Sequence, residues 1–213
     1  MSDPALRRVL NNGLDQLDLS PADGVVDQLL EYLDLLVSWN KAFNLTAVRD
    51  PLEMVHRHLL DSLTLVPWVN DHSGTRYLDV GTGAGLPGIP LSIWFPERTF
   101  ELLDSAGKKM RFLVKVCHTL NRPNVVLHNT RVEAFSDDQG FDGIITRAYA
   151  NLSDMINQTA HLLAKNGVFI AMKAELSFEE RNSVPSSYTI ASTVPLSVPG
   201  IDAKRELIII RPA

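Results

Sequence analysis

The chain has 213 residues, of which 45% are hydrophobic and 21% charged, and its formal net charge is −5. This is the composition of a globular domain with a substantial core, and it excludes bulk disorder. The negative net charge argues against a protein that coats nucleic acid non-specifically, so any nucleic-acid contact needs basic residues that are gathered locally.

The first residues carry Asp3 and lack a continuous apolar segment, and no run of 18 apolar residues occurs anywhere in the chain. We therefore expect neither a signal peptide nor a membrane-spanning helix, and no membrane partner. The single cysteine, Cys117, cannot form an internal disulfide, and no Cys/His cluster has zinc spacing, so no metal site is expected. These features predict a cytoplasmic protein.

The first part of the chain has helical patterns. Ser20-Pro21-Ala22-Asp23 predicts a helix start, and apolar residues recur at helical spacing over residues 26–37. Asp50-Pro51-Leu52-Glu53 repeats the start signal and predicts a second helix that ends near Val66. We expect residues 1–73 to form a helical N-terminal extension packed on a core domain of residues 74–213.

After Gly74 short β-rich segments alternate with helical ones. The predicted strands are 77–80, 99–103, 125–127, 141–146 and 168–172, and the predicted helices are 88–95, 108–120 and 152–163. Met110, Leu113, Val114 and Cys117 share one face of helix 108–120, which is expected to pack in the core. This alternation predicts a parallel, doubly wound α/β sheet. Two further β segments, 188–194 and 206–210, have no helix between them and are expected to pair antiparallel. A Rossmann-like, seven-stranded sheet closed by a terminal antiparallel hairpin is the plan of class I S-adenosylmethionine-dependent methyltransferases.

A glycine-rich loop over residues 79–88 follows the first predicted strand. Glycines allow a sharp turn off the strand and let a ligand approach the bare backbone. Ligands of such sheets lie at the carboxyl ends of the strands. The expected ligand contacts in this loop are Asp79, Gly81, Gly83, Gly85 and Leu86.

The identity of that ligand is less clear from the loop alone. Gly83, Gly85 and Gly88 fit the spacing of NAD-binding enzymes, but this match is weak. Asp79 would repel a pyrophosphate and suits a cationic sulfonium ligand with an amino group, which favours S-adenosylmethionine. Asp104 ends the second strand, where an acid accepts hydrogen bonds from ribose hydroxyls in either case. The structural alternatives are a tight turn that binds nothing and a plain loop aspartate.

The ordered motifs of the chain resemble those of the bacterial 16S rRNA guanine-N7 methyltransferase G family, also called glucose-inhibited division protein B. The likeness covers nearly the whole length. The motifs are Trp39-Asn40-Lys41 with Asn44-Leu45-Thr46, Arg57-His58-Leu59-Leu60-Asp61-Ser62, the loop from Leu78 through Leu91, Leu103-Asp104-Ser105, Lys108-Lys109, Arg111-Phe112-Leu113, Arg131-Val132-Glu133 and Arg147-Ala148. Lys173 is followed by Ala174 where the family usually has glycine, which puts the backbone path there in doubt.

The resemblance implies S-adenosylmethionine as methyl donor and guanine 527 of 16S ribosomal RNA as acceptor. It also implies donor contacts at Gly81, Leu86, Val132, Glu133 and Arg147. The acceptor could be naked RNA, the small ribosomal subunit or an assembly intermediate, and no obligate protein partner is indicated.

Guanine N7 has a lone pair in its neutral form, so the reaction needs alignment rather than a general base. Arg147 and Lys173 end the fourth and fifth strands and are the candidate catalytic residues. The candidate RNA contacts are Asn40, Lys41, Arg57, His58, Lys108 and Lys109. The alternatives are a solvated face for the helix charges and a capping role for Asn40 and Lys41.

Two rival functions remain open from the sequence. An NAD-dependent oxidoreductase would need a proton-handling residue pair and a substrate domain, and neither is found. A non-catalytic RNA-binding module that keeps the fold would have no reason to retain the glycine loop with Asp79 and Asp104.

Overall fold

The computed structural model describes residues 3–147, 149 and 151–213, so Ala148 of the last family motif lies outside the described residues. Five helices precede the first strand. They are α1 (Pro4–Gln16), α2 (Val25–Phe43), α3 (Pro51–Met54), α4 (Asp61–Leu63) and α5 (Val66–Asp71), with a π-helical segment, Val55–Leu60, joining α3 to α4. Within the described part of the chain, no helix combines the length and apolarity needed to cross a lipid bilayer.

The remainder alternates strands and helices as predicted. The strands are β1 (Arg76–Val80), β2 (Thr99–Leu103), β3 (Val125–His128), β4 (Phe141–Thr146), β5 (Leu163–Lys173), β6 (Tyr188–Pro195) and β7 (Glu206–Pro212). The helices are α6 (Gly88–Trp94), α7 (Gly107–Thr119), α8 (Leu152–Thr159) and α9 (Phe178–Asn182), with 3-10 turns at Val132–Ala134 and Ala160–Leu162.

The seven strands form one sheet in the order β3-β2-β1-β4-β5-β7-β6. The first five strands pair in parallel, while β7 pairs antiparallel with both β5 and β6. The predicted fold class and its terminal hairpin are therefore confirmed. Lys173 at the end of β5 is opposite Glu206 at the start of β7, so β7 begins at the edge where the parallel strands end.

Alternate residues of each strand point to opposite faces of the sheet, and helices cover both faces. Tyr77 belongs to a core shared with helices α1 and α2, whereas its neighbour Leu78 packs with α8 on the other face. Because the N-terminal helices share the larger core with the sheet, they pack directly on the strands. The boundary between residues 73 and 74 stays a prediction.

Three local predictions were wrong. Helix α2 begins at Val25, after the predicted start at Ser20, because Gly24 has a left-handed backbone (φ +82°) that ends the preceding turn. The second predicted helix contains the π-helical segment and continues as α5 beyond Pro67. On α7, Val114 was assigned to the buried face but is 58% exposed. Cys117 does pack against the core, and burial raises the pKa of its thiol to about 11.

Candidate active site

Two cavities lie side by side at the carboxyl edge of the sheet. The first, of about 330 Å³, lies at the ends of β1, β2 and β3, and its lining includes Gly81 and Asp104. The second, of about 340 Å³, lies at the ends of β4 and β5 and the start of β7, and its lining includes Arg147 and Lys173. Since β1 and β4 are adjacent in the sheet, Arg147 lies where the two halves meet.

The glycine loop forms one wall of the first cavity. Gly81 has φ +71° and Gly83 has φ +63°, values that L side chains rarely adopt. Gly81 is exposed, and a Cβ built on it would meet no atom within 4 Å, so any side chain there would project into open space. At Gly85, in contrast, a Cβ would lie 2.5 Å from Ile89 Cγ1, so this glycine allows core packing. The loop is anchored from α2, where the Tyr32 hydroxyl donates to the Ala84 carbonyl (2.8 Å).

Asp79 is buried beneath this loop, with 1% exposure. Its Oδ2 accepts hydrogen bonds from the Thr82 hydroxyl (2.7 Å) and the Gly88 amide (2.9 Å). Its Oδ1 has no hydrogen-bond partner among the described residues. Burial raises the pKa of Asp79 to about 6, although these hydrogen bonds oppose the shift. A buried carboxylate with one unused oxygen suits a cationic ligand.

Asp104, at the end of β2, lines the same cavity. Its Oδ1 accepts from the Ala106 amide (2.9 Å), and its Oδ2 accepts from the Gly83 amide (3.0 Å) and from Lys109 Nζ (3.0 Å). The carboxylate therefore fixes the loop and leaves part of its acceptor capacity for ligand hydroxyls. Lys109, predicted as an RNA contact, is half-buried and ion-paired with Asp104.

The remaining predicted donor contacts also lie in the first half. Val132 and Glu133 form the 3-10 turn after β3 and line the first cavity together with Tyr149. Val132 is buried and Glu133 is exposed. Leu86 is buried in the core behind the loop and does not line the cavity, so its side chain supports the loop from below. Tyr149 was not identified from the sequence, because one aromatic residue after a strand carries no distinctive pattern.

The residues that line the second cavity include a network of ion pairs around Asp61. Arg147 Nη1 donates to Asp61 Oδ2 (3.1 Å) and to the Arg57 carbonyl (3.1 Å). Arg205 Nε lies 3.4 Å from Asp61 Oδ1. Asp61 is 4% exposed, so a buried carboxylate of the N-terminal helices contacts two cations of the sheet. Neither Asp61 nor Arg205 was identified as a site residue from the sequence, although Asp61 stands in a family motif.

His58 lies beside Asp61 and lines the same cavity, with 4% exposure. Its Nε2 bonds the Thr46 hydroxyl (2.8 Å). Burial, with a further contribution from Arg147, lowers the pKa of His58 to about 4, so the ring is neutral at physiological pH. His58 is therefore a buried, neutral residue that lines the cavity, and its contact with RNA stays a prediction.

Lys173 lies at the end of β5, and its Nζ donates to Glu180 Oε1 (2.5 Å). The same oxygen accepts from the Leu152 amide (3.0 Å) at the start of α8. Glu180 of α9 thus connects the end of β5 to the segment that follows β4. Helix α9 was not predicted, because five residues are too few to show helical periodicity. Ala174, which departs from the family pattern, is exposed and lines the second cavity.

The other predicted RNA contacts occupy different environments. Lys41, Arg57 and Lys108 are exposed, and Arg57 also pairs with Glu53 (2.6 Å) one helical turn away. Asn40 is 2% exposed, and its amide donates to the Val48 carbonyl and accepts from the Thr46 amide. Asn40 therefore anchors the loop after α2, which agrees with the capping alternative considered above.

The strand order and the glycine loop over buried carboxylates define a class I methyltransferase fold. N-methyltransferase NodS from Bradyrhizobium japonicum WM9, solved with S-adenosyl-L-homocysteine, superposes with a TM-score of 0.59 at 14% identity and covers 83% of this chain and 98% of its own. An S-adenosylmethionine-dependent methyltransferase from Thiobacillus denitrificans, solved with the same compound, gives 0.52 at 10% identity, with coverages of 72% and 91%.

Sequence relatives identify the family within this class. The model of the GidB family, which is described as rRNA small subunit methyltransferase G, matches residues 25–209. The ribosomal RNA small subunit methyltransferase G of Klebsiella pneumoniae subsp. pneumoniae is 48% identical over 95% of this chain and 97% of its own length. That of Cellvibrio japonicus is 47% identical over 97% and 95%. The chain belongs to the rRNA small subunit methyltransferase G family, and the oxidoreductase alternative is excluded.

Proposed function

We propose that this protein transfers a methyl group from S-adenosylmethionine to N7 of a guanine in small-subunit ribosomal RNA, at position 527 of 16S rRNA. The observation that carries the proposal is the pair of adjacent cavities at one sheet edge. One is lined by glycine backbone and carboxylates, and the other is lined by cations. A cationic donor fits the first, and a nucleotide with its phosphates fits the second.

The residues of the first cavity fit the donor. The space beside Gly81 admits a ligand against the backbone, and the unused Oδ1 of Asp79 offers an acceptor for a cationic group. Asp104 and Glu133 are placed to accept from hydroxyl groups at the other side of the cavity. S-adenosylmethionine, when bound beside Gly81, Asp104 and Glu133, would supply an electrophilic methyl group on sulfur, and the N7 lone pair would be the nucleophile.

The residues of the second cavity position the acceptor. Arg147 and Lys173 are the candidate catalytic residues, because both end strands beside the donor cavity and their cationic groups suit the phosphates on either side of the guanine. Their ion pairs with Asp61 and Glu180 fix the directions of both side chains. Positioning of this kind lowers barriers by about 7–11 kcal/mol in the best cases. Lys41, Arg57 and Lys108 are the further RNA contacts that we propose, whereas Lys109, a candidate from the sequence, is paired with Asp104.

The mechanism needs no titrating base, because N7 carries no proton. The buried His58 has its pKa lowered to about 4, so it does not change charge near neutrality. We expect the single-turnover rate on the small subunit or its rRNA to be flat from about pH 6.5 to 8.5, where a base with the ordinary histidine pKa of about 6.5 would cause curvature. His58→Gln should keep that flat profile.

The decisive substrate is RNA with 7-deazaguanine at the target, in which carbon replaces the attacking nitrogen. Methyl transfer from labelled S-adenosylmethionine should stop on this RNA and proceed on its guanine counterpart. Methylation that continues on the 7-deaza substrate would refute N7 as the acceptor. A protein that binds S-adenosylhomocysteine and RNA but transfers nothing would be the non-catalytic module instead.

A further inference from the structure

The buried carboxylate of Asp61 has acceptor capacity that the protein does not use. Oδ2 accepts one hydrogen bond, from Arg147. Oδ1 makes no hydrogen bond within the described parts of the chain, although Arg205 Nε lies 3.4 Å away. A carboxylate has about four lone-pair sites, and a buried acceptor left unused is costly. Asp61 lines the second cavity, so a ligand bound there lies beside its carboxylate.

The charges around this cavity indicate the chemistry of that ligand. Arg57, Arg147, Lys173 and Arg205 line the cavity and suit phosphate groups, but the carboxylate of Asp61 would repel a phosphate placed against it. The surrounding cations would in turn repel a cationic group, so the group that contacts Asp61 should be neutral and carry hydrogen-bond donors. Among the four RNA bases, only guanine presents two adjacent donors, N1–H and the N2 amino group, on its Watson–Crick edge. Adenine, cytosine and uracil each place an acceptor beside their donor there.

We propose that Asp61 is the residue that selects guanine, by accepting hydrogen bonds from N1–H and the N2 amino group of the acceptor base. The inference rests on the function proposed above. N7 lies on the opposite edge of the purine, so a guanine held in this way by Asp61 directs N7 away from the carboxylate. The first cavity lies on the other side of Arg147, where that edge would face the donor.

The same contact favours the reaction electrostatically. Methylation at N7 gives the purine a positive charge and makes N1–H a stronger donor. A fixed carboxylate at N1–H therefore interacts more strongly with the transition state than with the neutral guanine, which accelerates the chemical step. Arg147 and Arg205 hold the carboxylate in place while leaving Oδ1 for the base.

The test is a cycle that combines an Asp61 substitution with a base analogue. Inosine keeps N7, O6 and N1–H of guanine but lacks the N2 amino group. With the wild-type protein, inosine at the target position should lower kcat/KM for methyl transfer about tenfold or more, the usual penalty when a buried charged acceptor loses its donor. In Asp61→Ala, guanine and inosine should react at nearly equal, lower rates.

The controls distinguish recognition of the base by Asp61 from a role of Asp61 in holding Arg147 and Arg205 in place. Arg205→Met removes a cation next to Asp61 but keeps the acceptor, so it should slow both substrates equally and preserve the inosine penalty. Binding of S-adenosylhomocysteine by each variant, measured by calorimetry, reports an intact donor site. If Asp61→Ala does not fold, Asp61→Asn keeps the shape of the side chain and should also reduce the inosine penalty, because its amide group cannot accept both donors.

Two results would overturn the assignment. The first is an inosine penalty that is the same in the wild-type and Asp61 proteins, which would leave Asp61 as a support for Arg147. The second is a wild-type protein that does not distinguish inosine from guanine. A wild-type protein that methylates neither RNA would instead count against the proposed function.

Discussion

The two cavities at the sheet edge are lined by different kinds of groups from different parts of the chain. The first uses the glycine backbone after β1, the carboxylate of Asp104 after β2 and the turn with Glu133 after β3. The second assembles side chains from the N-terminal helices, the ends of β4 and β5 and the residue before β7. The segments of the first cavity each follow directly after a strand, whereas the second cavity forms only when the N-terminal helices meet the strand ends.

This difference matches what we propose that each half binds. In the proposal, a small cationic donor is recognised through bare backbone and carboxylates at the strand ends. An RNA substrate needs cations held in fixed directions, and in this protein each central cation is paired with a carboxylate of another element: Arg147 with Asp61, and Lys173 with Glu180. The comparison predicts that substitutions in one half affect one ligand and spare the other.

The largest effect is expected from filling the donor cavity. Gly81→Val places a branched side chain in the open space of the first cavity, at a backbone φ of +71°. The dissociation constant for S-adenosylhomocysteine should rise by about 100-fold, which corresponds to ~2.7 kcal/mol, while RNA affinity stays unchanged. Calorimetry and RNA binding by fluorescence anisotropy measure the two affinities.

Gly24→Val is the matched control for this substitution. Gly24 has φ +82° and equally open surroundings, but it lies before α2, outside both cavities. It carries the same backbone strain and should leave donor affinity intact. Equal loss of donor binding in both variants would mean that strain, rather than filling of the cavity, causes the effect.

An intermediate effect is expected from pH, and it should be confined to the donor half. Because burial raises the pKa of Asp79 to about 6, the carboxyl gains a proton as pH falls through 6 and loses its attraction for a cationic ligand. Affinity for S-adenosylhomocysteine should weaken roughly tenfold at pH 5, where about one-tenth of the carboxyl is ionised, and level off above pH 7. Asp79→Asn should abolish this dependence.

The raised pKa has the opposite effect on the stability of the unliganded protein. The folded-state value lies above the ordinary value of 3.8, so the folded protein holds the proton more tightly than the unfolded chain. The free energy of unfolding should decrease as pH rises from about 4 through 6, and it should lose that component in Asp79→Asn. Urea unfolding at several pH values measures this pH dependence of stability. For the binding prediction, a donor affinity that is independent of pH would contradict a contact between Asp79 and the ligand.

The smallest effect separates two neighbouring lysines of α7. Lys108 is exposed, whereas Lys109 is paired with Asp104 in the donor half. Lys108→Ala should reduce the salt dependence of RNA binding by about one unit of slope, the amount for one lost phosphate contact. Lys109→Ala should leave the slope near that of the wild type. Titrations at several salt concentrations test this, and identical slopes for all three proteins would assign Lys108 to a solvated surface.

The sequence alone predicted the fold class and the glycine loop of the proposed donor half. The strands β2 and β4 fall on the predicted residues, and the glycine loop with Asp79 and Asp104 was identified from spacing. These features are local, because strand periodicity, strand-ending glycines and an acid after a strand are all determined by near neighbours in the chain. The ordered motifs also gave the family.

The tertiary structure alone decided the composition of the second cavity. Asp61 and Arg147 are 86 residues apart, and Arg205 is a further 58 residues along, so no spacing rule connects them. The sequence likewise placed Asn40 and His58 on an RNA-binding surface, but folding buried both. Burial and ion pairing depend on which helix faces pack against which strand ends, and the free energy that selects this packing is spread over the whole core.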